Sequence, residues 1–179
     1  YDPAGNWVKV VDSGNVVKYN FDGSEYRPDP LNRVNSIERR FDGATYQTAY
    51  RYDKAGLVTG IRYPEAAGWV EYRYNDLNQL SEVTGFTAAT GITYNNDGSL
   101  QGITYANGAT AVYNYDADRR LDNLKVTVGG QELLNLNYTY DEVGNIKTIN
   151  DNGKLKSYEY DKNNQLTKAI IPGSFLETT

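Results

Sequence analysis

The chain has 179 residues, 18 Lys and Arg against 23 Asp and Glu for a net charge of −5, and no cysteine, histidine or methionine. The zeros exclude disulfides, Cys/His zinc sites, thiol nucleophiles, histidine bases and the Ser-His-Asp triad. The acid excess and a mean hydropathy of −0.67 argue against a phosphate-gripping surface, a polybasic membrane patch or a spanning helix. The start at Tyr1, with neither initiator Met nor signal-like stretch, reads as an excised or processed segment.

One unit recurs eight times along the chain, at a period of about 23 residues. It opens at Tyr1 with Asp2, Gly5, Trp7 and Val10. The second copy has Tyr26, then Pro28 in the anchor position, Asp29, Asn32, Val34 and Ile37. The third reads Tyr50, Tyr52, Asp53, Gly56, Val58 and Ile61, and the fourth Tyr72, Tyr74, Asn75, Asn78, Leu80 and Val83. In the fifth, Ile92 replaces the first tyrosine before Tyr94, Asn95, Gly98, Leu100 and Ile103. The sixth carries Tyr113, Tyr115, Asp116, Arg119, Leu121 and Leu124, with Arg119 where the others have Gly or Asn. Tyr138, Tyr140, Asp141, Gly144, Ile146 and Ile149 make the seventh, and Tyr158, Tyr160, Asp161, Asn164, Leu166 and Ala169 the eighth. Of the 17 tyrosines, 13 stand in two columns.

Each column has a local cause. Tyr-x-Tyr sets two rings on one face of a strand, because side chains alternate with period two. Asp-x-x-Gly/Asn is a type I turn signal, with Asp capping its first position. The Gly or Asn that follows favours the left-handed region and a bulge into the returning strand, so positive φ is predicted at Gly56, Gly98 and Gly144. The apolar residues six and nine after the anchor belong to that returning strand. Their odd spacing keeps them off one face unless the strand bends or bulges. Asp22-Gly23, Asp42-Gly43, Asn107-Gly108, Asn152-Gly153 and Gly129-Gly130 mark hairpin turns at the opposite end. Together these predict an all-β fold, an antiparallel hairpin array over 1–171 forming a continuous spiralling or solenoid-like sheet, and an irregular tail over 172–179.

The columns resemble the YD-repeat family, also called RHS repeats, whose signature is Tyr-x-Tyr-Asp-x-x-Gly-x-Leu. The match stands at Tyr50-Arg51-Tyr52-Asp53-Lys54-Ala55-Gly56-Leu57-Val58 and at Tyr138-Thr139-Tyr140-Asp141-Glu142-Val143-Gly144-Asn145-Ile146, and recurs in degraded form to about residue 170. In that family the repeats wind into a β-sheet that closes a hollow shell, as in teneurins, insecticidal toxin complexes and bacterial polymorphic toxins. The resemblance implies a structural, toxin-encapsulating or surface role in a secreted or extracellular protein. Shells of that family use many more repeats than eight, and neither an aspartyl self-cleavage segment nor a toxin domain is recognisable in this chain.

No residue set stands out as catalytic, cofactor-binding or metal-binding. Tyr-Asp pairs in nearly every repeat suit turn capping better than one acid–base site, and no carboxylate pair is singled out for glycoside hydrolysis. Asn95-Asn96-Asp97-Gly98-Ser99 and Asn150-Asp151-Asn152-Gly153 resemble fragments of calcium loops, yet lack the bidentate acid and flanking helices of an EF-hand. Arg39-Arg40 and Arg119-Arg120 read as solvated edges, and Asn137-Tyr138-Thr139 is a glycosylation sequon placed in a paired strand. The reading is a non-enzymatic segment of a shell, stalk or filament-like assembly, without cofactors, nucleic acid or membrane insertion. Its expected partners are neighbouring repeats, copies of itself or an encapsulated toxin polypeptide. The alternative is a carbohydrate-binding module whose exposed tyrosines stack on a cell-surface glycan. Because Trp7 and Val10 at one end and Leu166 and Ala169 at the other keep the apolar pattern, the terminal repeats read as uncapped, with edges open to self-association.

Overall fold

The computed structural model describes residues 1, 5, 7–12, 15–20, 31 and 33–173. The second anchor Pro28 with Tyr26 and its turn to Asn32, the Asp22-Gly23 turn, Asp2 to Ala4 and the tail from Ser174 lie outside them. The chain divides into two compact units, Tyr1–Gly85 and Phe86–Thr179. The first holds β1 (Lys9–Asp12), β2 (Asn15–Asn20), β3 (Ser36–Phe41), β4 (Ala44–Tyr52), β5 (Val58–Arg62), β6 (Val70–Tyr74) and β7 (Leu80–Val83), one antiparallel sheet in chain order. The second holds β8 (Thr87–Tyr94), β9 (Leu100–Tyr105), β10 (Thr110–Tyr115), β11 (Leu121–Val128), β12 (Gln131–Tyr140), β13 (Ile146–Asp151), β14 (Lys154–Tyr160) and β15 (Leu166–Ile170), again in chain order. The described residues contain no helix, as the composition predicts.

The Asp-x-x-Gly stretches make the predicted turns. The amide of Gly56 donates to the Asp53 carbonyl at 3.2 Å, and the Asp53 amide to the Leu57 carbonyl at 3.0 Å. The fourth residue takes a left-handed backbone in each described copy from the third onward: φ is 90° at Gly56, 59° at Asn78, 86° at Gly98, 64° at Arg119, 94° at Gly144 and 61° at Asn164. At the opposite end Asp42-Gly43, Gly129-Gly130 and Asn152-Gly153 have both φ values positive, the mirror-image turn that suits the twist of a two-residue hairpin. Asn107-Gly108 turns differently, through a three-residue loop closed by the Tyr105 amide on the Ala109 carbonyl at 2.8 Å.

The odd spacing of the apolar columns is resolved by a second bulge. Tyr52 pairs with Val58 and Arg51 with Gly60, so Thr59 has no opposite number and Ile61 returns to face Tyr50. The same two-against-one step follows Leu80, Leu100, Leu121, Ile146 and Leu166. Both apolar columns thus lie beside the two tyrosine columns on one face.

Neither unit builds a deep interior. Among the described residues the buried apolar side chains are Ala109 and Ala111, and no large side chain is fully buried. Tyr72, Tyr74, Tyr113, Tyr115, Tyr138 and Tyr140 are half-buried, alternating with exposed Arg73, Asn114 and Thr139. Cross-strand pairing, rather than a second packed layer, carries each sheet.

A further bulge stands at Leu133, between the pairs Val126–Leu134 and Thr127–Glu132, and a larger departure precedes Ile92. Between the pairs Thr87–Tyr105 and Ile92–Ile103, β8 sets Ala88–Gly91 against Thr104 alone. Thr90, a β-branched residue, is held at φ 51°, and a Cβ on Gly91 would meet the Thr104 carbonyl at 2.5 Å.

Two substitutions at the left-handed position should act in opposite directions. Gly56→Val, at φ 90° with open space around it, should lower stability by about 1–3 kcal/mol through backbone strain alone. Arg119→Gly relieves a non-glycine residue at φ 64° and should raise stability by up to about 1 kcal/mol. Denaturant midpoints of the two variants check both signs.

Candidate functional site

The repeated chemistry sits where one repeat meets the next. Five tyrosine hydroxyls donate to the backbone carbonyl of the first apolar residue of the preceding repeat: Tyr52 to Val34 at 2.8 Å, Tyr74 to Val58 at 2.7 Å, Tyr115 to Leu100 at 3.0 Å, Tyr140 to Leu121 at 2.8 Å and Tyr160 to Ile146 at 3.0 Å. The geometry follows from the bulge. Each inter-repeat ladder ends two residues short of this carbonyl, at the pairs Ser36–Ala49, Gly60–Glu71, Gly102–Val112, Asn123–Asn137 and Thr148–Ser157. Beyond these pairs it is the phenol that donates to this carbonyl, and at the first of the interfaces the Tyr50 amide also reaches the Asn35 carbonyl at 2.8 Å.

The turns add a second set of bonds. Asp53, Asp116, Asp141 and Asp161 each use one carboxylate oxygen to accept the amide four residues on, at 2.8–2.9 Å. At Asp116 and Asp141 the second oxygen also accepts from the side chain of that same later residue. The Arg120 guanidinium Nε donates to Asp116 Oδ2 at 2.7 Å and the Asn145 Nδ2 to Asp141 Oδ2 at 2.9 Å. Where the cap is Asn, its own Nδ2 donates, from Asn75 to Gln79 Oε1 at 3.0 Å and from Asn95 to Ser99 Oγ at 2.9 Å. Cap and partner match as acceptor and donor. Arginines here also stack forward, Arg33 over the Tyr52 ring at 4.6 Å and Arg120 over Tyr140 at 4.5 Å.

The face opposite the tyrosines is a polar lattice. Arg73 pairs with Glu82 at 3.8 Å and Lys168 with Glu159 at 3.0 Å. Thr139 and Thr148 share a hydroxyl bond at 2.6 Å. The Asn123 amide donates to Asn135 Oδ1 at 2.8 Å and Asn137 Oδ1 at 3.0 Å. Trp69 lies on this side over Gly60, where an added Cβ would meet its ring at 3.0 Å, with the Arg51 guanidinium 3.8 Å from the ring centre and Arg62 at 5.5 Å.

The sequence candidates fall into place around these contacts. The calcium-like stretches spend their oxygens inside turns: Asp97 Oδ1 accepts the Ser99 amide at 3.0 Å and hydroxyl at 2.6 Å, and Asn150 Oδ1 accepts the Gly153 amide at 2.8 Å. No group of three or more Asp or Glu side chains converges as a metal site among the described residues. Asn137 of the sequon is exposed in β12, and Arg39 and Arg40 lie in β3. Arg120 corrects the expectation of a solvated edge, being a turn partner of Asp116, whereas Arg119 is exposed and sits 3.6 Å from Asp97. The hydroxyl acceptors, the cap–partner matching and the Trp69 stack went unread in the sequence. The matching had a visible signal, the polar residue five after most anchors.

Removing one phenol tests the link between repeats. Tyr140→Phe keeps the ring and strands the Leu121 carbonyl, and should cost about 1 kcal/mol, read as a lowered melting temperature. Alkali should act on the same face. Burial raises Tyr74, Tyr113 and Tyr140, and burial with the Tyr63 hydrogen bond pushes Tyr72 up to about 12. The folded state holds these protons past the unfolded value, so stability is full below about pH 10 and falls as pH rises toward about 12. In acid the caps act. The Asn145 amide holds Asp141 low, the Ser99 hydroxyl holds Asp97 low, and at Asp116 burial is outweighed by the Arg120 amide and guanidinium. Their contribution is full above about pH 4 and is lost as pH falls through the lowered folded values. Melting temperature across pH 2–12 should therefore fall at both ends, an observation made by thermal scans.

The fold is similar to parts of several solved structures. Among the solved structures that match are a TcdB2-TccC3-Cdc42 structure, at TM-score 0.74 and 19% identity, and the Photorhabdus luminescens Tc holotoxin pore with a TccC3 mutation, at 0.73 and 19%. TcdB2-TccC3 without its hypervariable C-terminal region matches at 0.74 and 19%. Each alignment covers 90% of this chain and 9% of the other, so this chain spans about a tenth of the length of those it matches. No protein-family model and no curated relative matches the chain. The motif resemblance and the fold agree: the repeats that resemble YD repeats fold as antiparallel hairpins.

Proposed function

We propose that the chain is a structural, non-enzymatic wall segment of a secreted or extracellular YD-repeat protein that encloses a toxin polypeptide. The tyrosine hydroxyl bridge carries this reading. It commits the anchor tyrosines of five repeats to joining repeat to repeat, which builds area. Likeness in fold to toxin-complex structures supports the encapsulating role. Among the described residues, a concavity of about 540 Å³ is open and lined by turn residues such as Asp141, Asn145 and Asp161, whose polar atoms serve the turns. The same reading treats 1–171 as one array and 172–179 as a tail, with neighbouring repeats as the immediate partners.

The test is made on the full polypeptide in which this segment occurs. Electron cryo-microscopy should show a hollow β-walled body with density inside, and the enclosed polypeptide should resist protease until the wall is unfolded. A solid rod or an open filament, with every segment equally digestible, would overturn the shell.

A further inference from the structure

One concavity of the first sheet takes no part in the contacts between repeats. It has a volume of about 490 Å³, within the roughly 300–1,000 Å³ of small-molecule sites, and its lining includes Val17, Arg39, Phe41, Tyr46 and Pro64. The register explains the grouping. Val17 lies opposite Arg39 and Arg39 opposite Tyr46, on the face that also carries Tyr50, because side chains alternate along β2, β3 and β4. Phe41 follows on that face at the hairpin turn, opposite the small Ala44. Phe41 is 55% and Tyr46 39% exposed, so two rings stand beside the groove with much of their surface in water.

Arg39 is the unusual member. Its cross-strand neighbours are a valine and a tyrosine, and Glu38 lies on the other face, where Lys18 meets it at 3.5 Å. In the repeat anchored at Tyr140, the residue at the same place after the anchor is Asp151, and there Lys156 closes on the carboxylate at 2.8 Å. A charge at this column is matched in that repeat, whereas Arg39 has no carboxylate partner among the described residues.

We propose that this concavity binds a small apolar carboxylic acid, its carboxylate on the Arg39 guanidinium and its aromatic or aliphatic body against Phe41, Tyr46, Val17 and Pro64. A guanidinium is a planar fork that meets a carboxylate through two parallel N–H donors, and its weak hydration suits it to apolar surroundings. The rings and aliphatics beside it exclude water from the pair and cover the apolar surface of the ligand. A polypeptide strand is not the occupant. β2, β3 and β4 are each hydrogen-bonded on both sides and offer no edge to add to. The proposal stands whether or not the protein encloses a toxin.

The probes are hydrocinnamate and its uncharged amide, hydrocinnamide, titrated into the full chain and followed by NMR. The acid should bind saturably, with a dissociation constant of about a millimolar or tighter, as about a dozen non-hydrogen atoms allow. Its shifts should centre on the amides of Val17, Arg39, Phe41 and Tyr46. Hydrocinnamide should bind about five- to tenfold more weakly, and Arg39→Gln should weaken the acid by a similar factor, so that acid and amide become alike. Arg73→Gln removes the same charge from the polar face and should change the affinity less than about twofold. Arg39 and Arg73 are both exposed, so these variants should melt as the parent does. No saturation by about 10 mM acid, equal binding of acid and amide to the parent chain, shifts centred on other strands, or undiminished affinity in Arg39→Gln would overturn the proposal.

Discussion

A hydrogen bond from a phenol to a backbone carbonyl, made at five of the anchors, reconciles two demands that the backbone alone cannot meet. A bulge is needed to bring apolar residues three apart onto the tyrosine face, and it interrupts the ladder to the following repeat. An unpaired carbonyl in a half-buried place costs free energy comparable to a lost hydrogen bond. Tyrosine is long enough to reach across the gap and keeps its ring packed on the way. Phenylalanine would pack equally well and leave the carbonyl bare, which accounts for tyrosine at the five anchors that make this bond.

At the turn end the same economy appears in the pairing of the cap with the residue four later. An Asp cap is an acceptor on both oxygens and takes Arg120 or Asn145 as donor; an Asn cap has a donor to spare and takes Gln79 or Ser99 as acceptor. The pairs change together from repeat to repeat while the backbone of the turn stays constant. Asp53 with Leu57 shows that the side-chain half is dispensable, since there only the amide bond remains. Arg119 is the reverse case, a residue poorly suited to φ 64° that is tolerated where Asp97 of the preceding repeat offers a charge.

Much of this architecture was legible because repetition turns weak local signals into columns. Asp-x-x-Gly predicted a turn once, and eight copies predicted a fold. The positive φ values at Gly56, Gly98 and Gly144 followed directly from the steric freedom of glycine. The bulge was foreshadowed by the odd spacing of Val58 and Ile61, but its location was a three-dimensional matter of which residue loses its partner. The carbonyl acceptors could not be read, since every residue has a carbonyl and only the ladder shows which one is left over. Trp69 over Gly60 is likewise invisible in sequence, because Gly60 lies in β5 and Trp69 in the connection just ahead of β6.

That no large side chain is fully buried among the described residues has a thermal consequence. The heat-capacity change of unfolding grows with newly exposed apolar area and is reduced by exposed peptide and polar groups. A sheet whose tyrosines and aliphatics are already half in water releases little apolar area when it opens, and a great many backbone groups. Its free energy of unfolding is therefore a shallow function of temperature, without the pronounced maximum of a molecule built around an oily interior. Cold weakens such a structure little, and heat acts on it mainly through chain entropy.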